Sequence, residues 1–153
     1  MNVDGAFNPS TKRAAIDVIA RNAHGLMVYG CAYQLSGSHT ADSAEACAFK
    51  EGVLMAVSNG WRQVMFEGDA ISIVSKLANR ELDRSVASSH LASTVVALGD
   101  HIGFSFGYVK RAFNRVTHGL AQYAINENIN FRFDFETPTC IKHIVIEDAI
   151  FGG

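Results

Sequence analysis

The order in which apolar periodicities change along the chain leaves few folds open. Met1–Phe7 is a short β-like run ending in the turn Asn8-Pro9-Ser10. Ala14–Arg21 and Leu26–Leu35 follow as two more strands around the turn Asn22-Ala23-His24-Gly25. Three strands joined by short turns predict an antiparallel meander. Ser36–Thr40 is a loop, and from Asp42 the period becomes that of a helix, which Asn59-Gly60 stops. Gln63–Gly68 reads as a fourth strand, Asp69–Asn79 as a second helix, and Ser85–Ile102 as a third with Leu91, Val95 and Leu98 on its stripe. Phe104–Lys110 alternates Phe104, Phe106 and Tyr108 as a fifth strand, and Asn114–Ile125 is the last helix, with Val116, Leu120 and Tyr123 inward. This order predicts an α/β fold: a mixed five-stranded sheet with helices on both faces. The crossover from the meander to the fourth strand is then parallel and right-handed.

Three carboxylates stand where the pattern changes. Asp4, in Asn2-Val3-Asp4-Gly5-Ala6-Phe7, and Asp69, in Val64-Met65-Phe66-Glu67-Gly68-Asp69, lie on or just beyond two β-like runs. Glu45, in Ser43-Ala44-Glu45-Ala46-Cys47-Ala48, begins a helical stripe that continues through Ala48, Phe49, Gly52, Val53 and Ala56. That spacing puts Glu45 at the top of the buried face. With the first strand beside the fourth, all three acids converge. Converging carboxylates repel one another unless a cation sits between them, and Mg²⁺, which takes oxygen ligands and keeps waters, is the usual one. Such a site suits phosphoryl transfer with one or two metal ions. Each acid also has a structural reading. Asp4-Gly5 is a common turn dipeptide, Asp42 and Glu45 fit a capping box, and Asp69 precedes a helix as an N-cap would.

The remaining constraints are broad. The chain has 153 residues, 48% of them hydrophobic, which suits one domain with a sizeable core. No apolar run approaches the roughly 18 residues of a membrane span, and no signal peptide opens the chain. Three cysteines at no metal spacing read as reduced, which places the chain inside the cell, in nucleus or cytoplasm, and not among secreted proteins. A net charge of −2 does not mark a polyanion binder. From Asn126 onward, however, five acids face two bases, so the preceding body holds ten acids against eleven bases, with a small basic cluster at Lys110, Arg111 and Arg115. The stretch from Asn126 to Gly153 has no clear pattern, and Ile141–Ile146 is compatible with strand or short helix.

The acidic segments, together with Ala56-Val57-Ser58-Asn59-Gly60-Trp61 and Asn114-Arg115-Val116-Thr117-His118-Gly119-Leu120-Ala121, resemble the ribonuclease H type domains of plants that descend from non-LTR retroelement polyproteins. The segments occur in family order and cover most of Asn2–Ile125. The resemblance implies a ribonuclease H-like fold with strand order 3-2-1-4-5, a core over residues 1–125 and a C-terminal extension over 126–153 of the same single domain. It also implies an endonuclease that cleaves the RNA strand of RNA–DNA hybrids. Asp4, Glu45, Asp69 and His118 would be catalytic and hold two Mg²⁺ ions, with Mn²⁺ as a substitute and with His118 or a water replacing the fourth ligand. Gly5, Lys110, Arg111 and Asn114 would face the nucleic acid, Gly5 by letting its backbone approach and the two cations by neutralising phosphates. No membrane partner is implied, and the oligomeric state is left open.

The chain departs from that family in three ways. The slot of the fourth ligand, an aspartate in the family, holds His118, and imidazole suits Mn²⁺ or Zn²⁺ better than Mg²⁺. Only Ala112-Phe113 separates Arg111 from Asn114, too short for the mobile histidine loop of the cellular enzymes. Ala70 follows Asp69 where serine is common. These departures keep open a second reading, a domesticated and catalytically weak or inactive module that binds nucleic acid or protein. The family usually continues upstream of the first strand, which is compatible with a domain cut from a longer protein.

Overall fold

A computed structural model describes residues 1–81 and 86–134, together with Thr139 and Lys142. Strands β1 (Asn2–Asn8), β2 (Arg13–Arg21) and β3 (Met27–Leu35) form the antiparallel meander. Helix α1 (Ala41–Ser58) then crosses to β4 (Val64–Gly68), which lies parallel to β1, with Asn2 opposite Glu67. Helices α2 (Ile71–Asn79) and α3 (Val86–Leu98) lead to β5 (Phe104–Tyr108), parallel to β4. A single 3-10 turn, Arg111–Phe113, precedes α4 (Arg115–Glu127).

The sheet has one strand more than the sequence predicts. Phe131–Phe133 forms β6, antiparallel to the outer edge of β3, and the order is β5-β4-β1-β2-β3-β6. The reason is local. Gly30 on β3 carries no side chain, so the ring of Phe133 lies over it, where a Cβ would come within 2.1 Å. The Phe131-Arg132-Phe133 alternation is a strand signal, but three residues are too few to stand out. Ile141–Ile146, ambiguous in sequence, lies outside the described residues apart from Lys142.

Alternation along β2 sorts the core into two layers. Ile16, Val18 and Ala20 join Val3, Phe49, Val53, Phe66, Leu77 and Leu91 on the face covered by α1, α2 and α3. Ala15 and Ile19 join Ala6, Val116, Leu120 and Ala124 on the face covered by α4. Helix α1 is buried on most sides because the sheet takes one face and α3 packs on another. Among the described residues, no helix is long and apolar enough to cross a membrane.

Two helix starts differ from expectation in ways that free the acids. Helix α1 is capped by Thr40, whose hydroxyl accepts from the Ser43 N–H while the Ser43 hydroxyl accepts from the Thr40 N–H. Asp42 and Glu45 are therefore not the capping box. Helix α2 has Ala70 at its N-cap and no side-chain capping bond, so Asp69 is not spent as a cap either.

Candidate metal centre

Asp4, Glu45 and Asp69 meet at one point. A carboxylate oxygen from each lies within 4.8 Å of those of the other two. Asp4 comes from the middle of β1, Asp69 from the residue after β4, and Glu45 from the second turn of α1. The approach of α1 to β1 is set by Gly5. A Cβ there would stand 2.3 Å from the carbonyl carbon of Ala44 and 2.3 Å from the nitrogen of Glu45. The room expected to admit a nucleic-acid backbone is thus filled by the first turns of α1. The Gly5 N–H also donates to the Glu45 carboxylate.

The cluster is partly buried and short of donors. Asp4 is fully buried, and neither its Oδ1 nor Oε2 of Glu45 has a hydrogen-bond partner among the described residues. Burial, then the charges of Asp4 and Asp69, push the Glu45 carboxyl up to about 9. Burial and the Asp4 charge likewise raise Asp69, against the opposing effects of Arg111 and His118. Unpaired buried oxygens and raised carboxyls are what a site built for cations looks like with only protein around it. The donor set is all oxygen, the class that Mg²⁺ and Mn²⁺ prefer, so the residues fit such an ion.

A fourth acid, Asp17, went unnoticed in the sequence. The β1–β2 register places it directly across from Asp4, and both its oxygens are buried without a partner among the described residues. Burial first, and Asp4 second, raise its carboxyl well above the ordinary range. Its signal was legible as the single acid in Ala14-Ala15-Ile16-Asp17-Val18-Ile19, a strand apolar on both faces.

Two nitrogen-bearing side chains border the acids. Nδ1 of His118, on the first turns of α4, is 3.0 Å from Oδ2 of Asp4. Since a carboxylate only accepts, Nδ1 carries the proton in this bond, and the Arg111 guanidinium lies against the ring, its Nη2 3.1 Å from Nδ1 and 3.2 Å from Nε2. Nε of Arg111 is also 3.6 Å from Oδ2 of Asp69, and its side chain is 65% exposed. Arg111 is thus engaged with the acid cluster itself. Lys110 is exposed beside it.

Asn114 has a different role from the one expected. It is 2% exposed, and its Nδ2 donates to the carbonyl of Val3 at 3.0 Å. Its own carbonyl accepts from the Thr117 hydroxyl and the His118 N–H. Asn114 therefore pins the start of α4 to β1 next to Asp4, and one helical turn later His118 meets that acid.

Comparison with known proteins follows the same outline. The family profile described as reverse transcriptase-like matches residues 2–124. RNase H1 from the halophilic archaeon Halobacterium salinarum NRC-1 is 20% identical and aligns over 82% of this chain and 96% of its own, with a TM-score of 0.74. The N-terminal RNase H domain of a Mycobacterium tuberculosis protein, solved as a fusion with maltose-binding protein, has a TM-score of 0.74 at 17% identity, over 82% of this chain and 91% of that one. LC11-RNase H1, solved in complex with an RNA/DNA hybrid, has a TM-score of 0.74 at 16% identity, over 83% of this chain and 96% of that one. At these identities the likeness is one of fold. No curated protein matches the chain.

Proposed function

Because this chain belongs to the reverse transcriptase-like family, we propose that it is a divalent-metal-dependent ribonuclease H that cleaves the RNA strand of RNA–DNA hybrids. One observation carries the proposal: three carboxylates from β1, α1 and the end of β4 within 4.8 Å of one another, with Oδ1 of Asp4 and Oε2 of Glu45 buried and unpartnered among the described residues. A neighbour of the same fold was solved with an RNA/DNA hybrid, which supports the choice of substrate.

Asp4, Glu45 and Asp69 would hold two Mg²⁺ ions, with Mn²⁺ as a substitute. Ions bound there would activate an attacking water and steady the leaving oxygen. The remaining work falls to side chains of this chain. Gly5 holds Glu45 in reach by admitting α1 and by donating its N–H. Asn114 sets the register of α4, so that His118 donates to Asp4 and fixes the orientation of that carboxylate. Arg111, exposed at the rim, and Lys110 beside it would neutralise scissile-strand phosphates. The substrate would be read through backbone and 2′-hydroxyl contacts, not base sequence.

The decisive experiment is a labelled RNA–DNA hybrid incubated with Mg²⁺ and, separately, Mn²⁺ at matched protein concentrations. Metal-dependent loss of the RNA strand, abolished in Glu45→Gln, is the expected result. Intact RNA with both ions ends the enzymatic reading. A second reading then takes its place, and a specific observation favours it. A hydrogen bond from His118 to Asp4 and the Arg111 guanidinium beside Asp69 satisfy part of the acid cluster from the chain itself, as a domesticated module with no metal would need. That protein would retain hybrid affinity without cleaving.

A further inference from the structure

His39, Cys47 and His90 form a second cluster of potential ligands. One donor atom from each lies within 4.8 Å of those of the other two. The three come from separate parts of the fold: His39 from the loop between β3 and α1, Cys47 from the second turn of α1, and His90 from α3. All three are partly accessible, and the two imidazole rings stack at 6.2 Å between centroids. Neither His39 nor His90 has a place in the acidic site, and the cluster contains no carboxylate. Sequence spacing hid it, since His39 and Cys47 straddle a helix start and His90 belongs to another helix.

We propose that His39, Cys47 and His90 form a binding site for a thiophilic divalent ion of the Zn²⁺ class. The chemistry of the donor set argues for it. One thiolate with two imidazoles selects Zn²⁺ and its neighbours and gives Mg²⁺ nothing to hold. A second observation concerns His39. Its Nε2 lies 3.0 Å from the carbonyl of Ser36, which only accepts, so Nε2 carries the proton and Nδ1 presents the lone pair. A ring N–H held by a backbone carbonyl is how metal-ligating histidines are oriented. The Ser43 hydroxyl, 3.4 Å from Nδ1, has an alternative acceptor in the Thr40 carbonyl at 3.1 Å, so it does not need that lone pair.

The geometry needs little adjustment. Ligand atoms on a tetrahedral Zn²⁺, with bonds of about 2.0–2.3 Å, stand about 3.5 Å apart. Closing from 4.8 Å takes side-chain rotation of roughly one ångström, with solvent access for a water in the fourth position. The ion would tie the β3–α1 loop and α3 to the first two turns of α1. Those turns carry Glu45, so it would act as a clamp on the helix that presents an acid to the candidate metal centre.

The test uses the full chain in saturating Mg²⁺, which occupies oxygen sites. Zn²⁺ alone is titrated by calorimetry, and Co²⁺ is added separately as an absorbing substitute. Expected are one equivalent of tightly bound Zn²⁺, a thiolate-to-Co²⁺ charge-transfer band and a higher Tm with Zn²⁺. Cys47→Ser should lose the band, and His39→Gln and His90→Gln should each weaken Zn²⁺ binding by about tenfold or more. Glu45→Gln should leave both signals in place. The proposal is overturned if no charge-transfer band forms. It is equally overturned if the band survives in Cys47→Ser, which would assign it to Cys31 or Cys140. Zn²⁺ binding that vanishes in Glu45→Gln while His90→Gln binds normally would place the ion among the acids instead. If Cys47→Ser folds poorly, the two histidine variants decide by their Zn²⁺ affinity.

Discussion

Nδ1 of His118 donates to Oδ2 of Asp4 across 3.0 Å, so a side chain from α4 occupies part of the coordination space of the central acid. The carboxylate is fully buried, whereas the imidazole is about one-third exposed. A neutral or charged imidazole there replaces some of the attraction a metal would give, without filling the space between the three acids. The pair therefore stabilises the metal-free protein and would compete with a bound metal for one oxygen.

Replacing His118 with aspartate should reverse that balance. Without divalent ions, the His118→Asp variant adds a like charge next to Asp4 and should melt at a lower temperature than wild type. With Mg²⁺ it gains an oxygen ligand, and affinity measured by calorimetry should rise by about tenfold, or roughly 1.4 kcal/mol. Hybrid cleavage should rise with it, and a preference for Mn²⁺ over Mg²⁺ in wild type should disappear. Unchanged Mg²⁺ affinity would mean that position 118 does not reach the metals.

Asp4→Asn separates function from folding. The amide keeps an oxygen for His118 and gains a nitrogen donor beside the oxygens of Asp17 and Oε2 of Glu45, which are unpartnered among the described residues. It also removes the charge that raises Asp17, Glu45 and Asp69. The variant should melt as high as wild type or higher in chelator, by about 1 kcal/mol of relieved repulsion and new hydrogen bonding. Hybrid cleavage should fall to background. A markedly lower Tm would mean that the charged carboxylate of Asp4 holds α4 to β1 through His118 and serves the fold.

Much of this fold is written in residue periodicity, and the exceptions have physical causes. The position of Glu45 is legible because Ala48, Phe49, Gly52, Val53 and Ala56 define a face that a helix must bury. Asp4 and Asp69 followed from the adjacency of β1 and β4. Asp17 escaped because its meaning depends on cross-strand register, and register is a property of two segments together. Asn114 and Gly5 were assigned to ligand contact because their type allows it. Only tertiary packing reveals that one clamps α4 to β1 and the other admits α1. Strand β6 is three residues long and is fixed by the gap over Gly30, which no local pattern encodes.

Stability in chelator should fall as pH rises from acid to alkaline conditions. Glu45 titrates near 9 in the folded chain against an ordinary 4.5, and Asp17 and Asp69 are raised as well. Between its ordinary value and 9, Glu45 keeps its proton when folded and loses it when unfolded. The folded state then binds more protons, so unfolding becomes easier with each step up in pH until about 9, and the loss is complete above that. Thermal melts from pH 5 to pH 9 should show a declining Tm, flattened in Glu45→Gln and partly restored by Mg²⁺. A Tm that climbs over this range would mean that the acids are ionised and satisfied without metal.

Gly5→Ala tests which partner requires glycine on β1. The added methyl would stand 2.3 Å from two backbone atoms of α1 and 2.7 Å from the Ala44 carbonyl oxygen, well inside contact distance. Neither strand nor helix backbone can rotate away as a side chain would, so α1 must move off the sheet. Forced overpacking of this kind costs about 3 kcal/mol, which for a chain of this size is a fall in Tm of about 6–12 °C. Because the displaced turn carries Glu45, Mg²⁺ affinity should drop in the same variant. If glycine were there to let a nucleic acid approach, the pattern would differ: the melt would be unchanged, metal binding intact, and only hybrid affinity reduced. Measuring all three on one preparation distinguishes helix packing from substrate contact at Gly5.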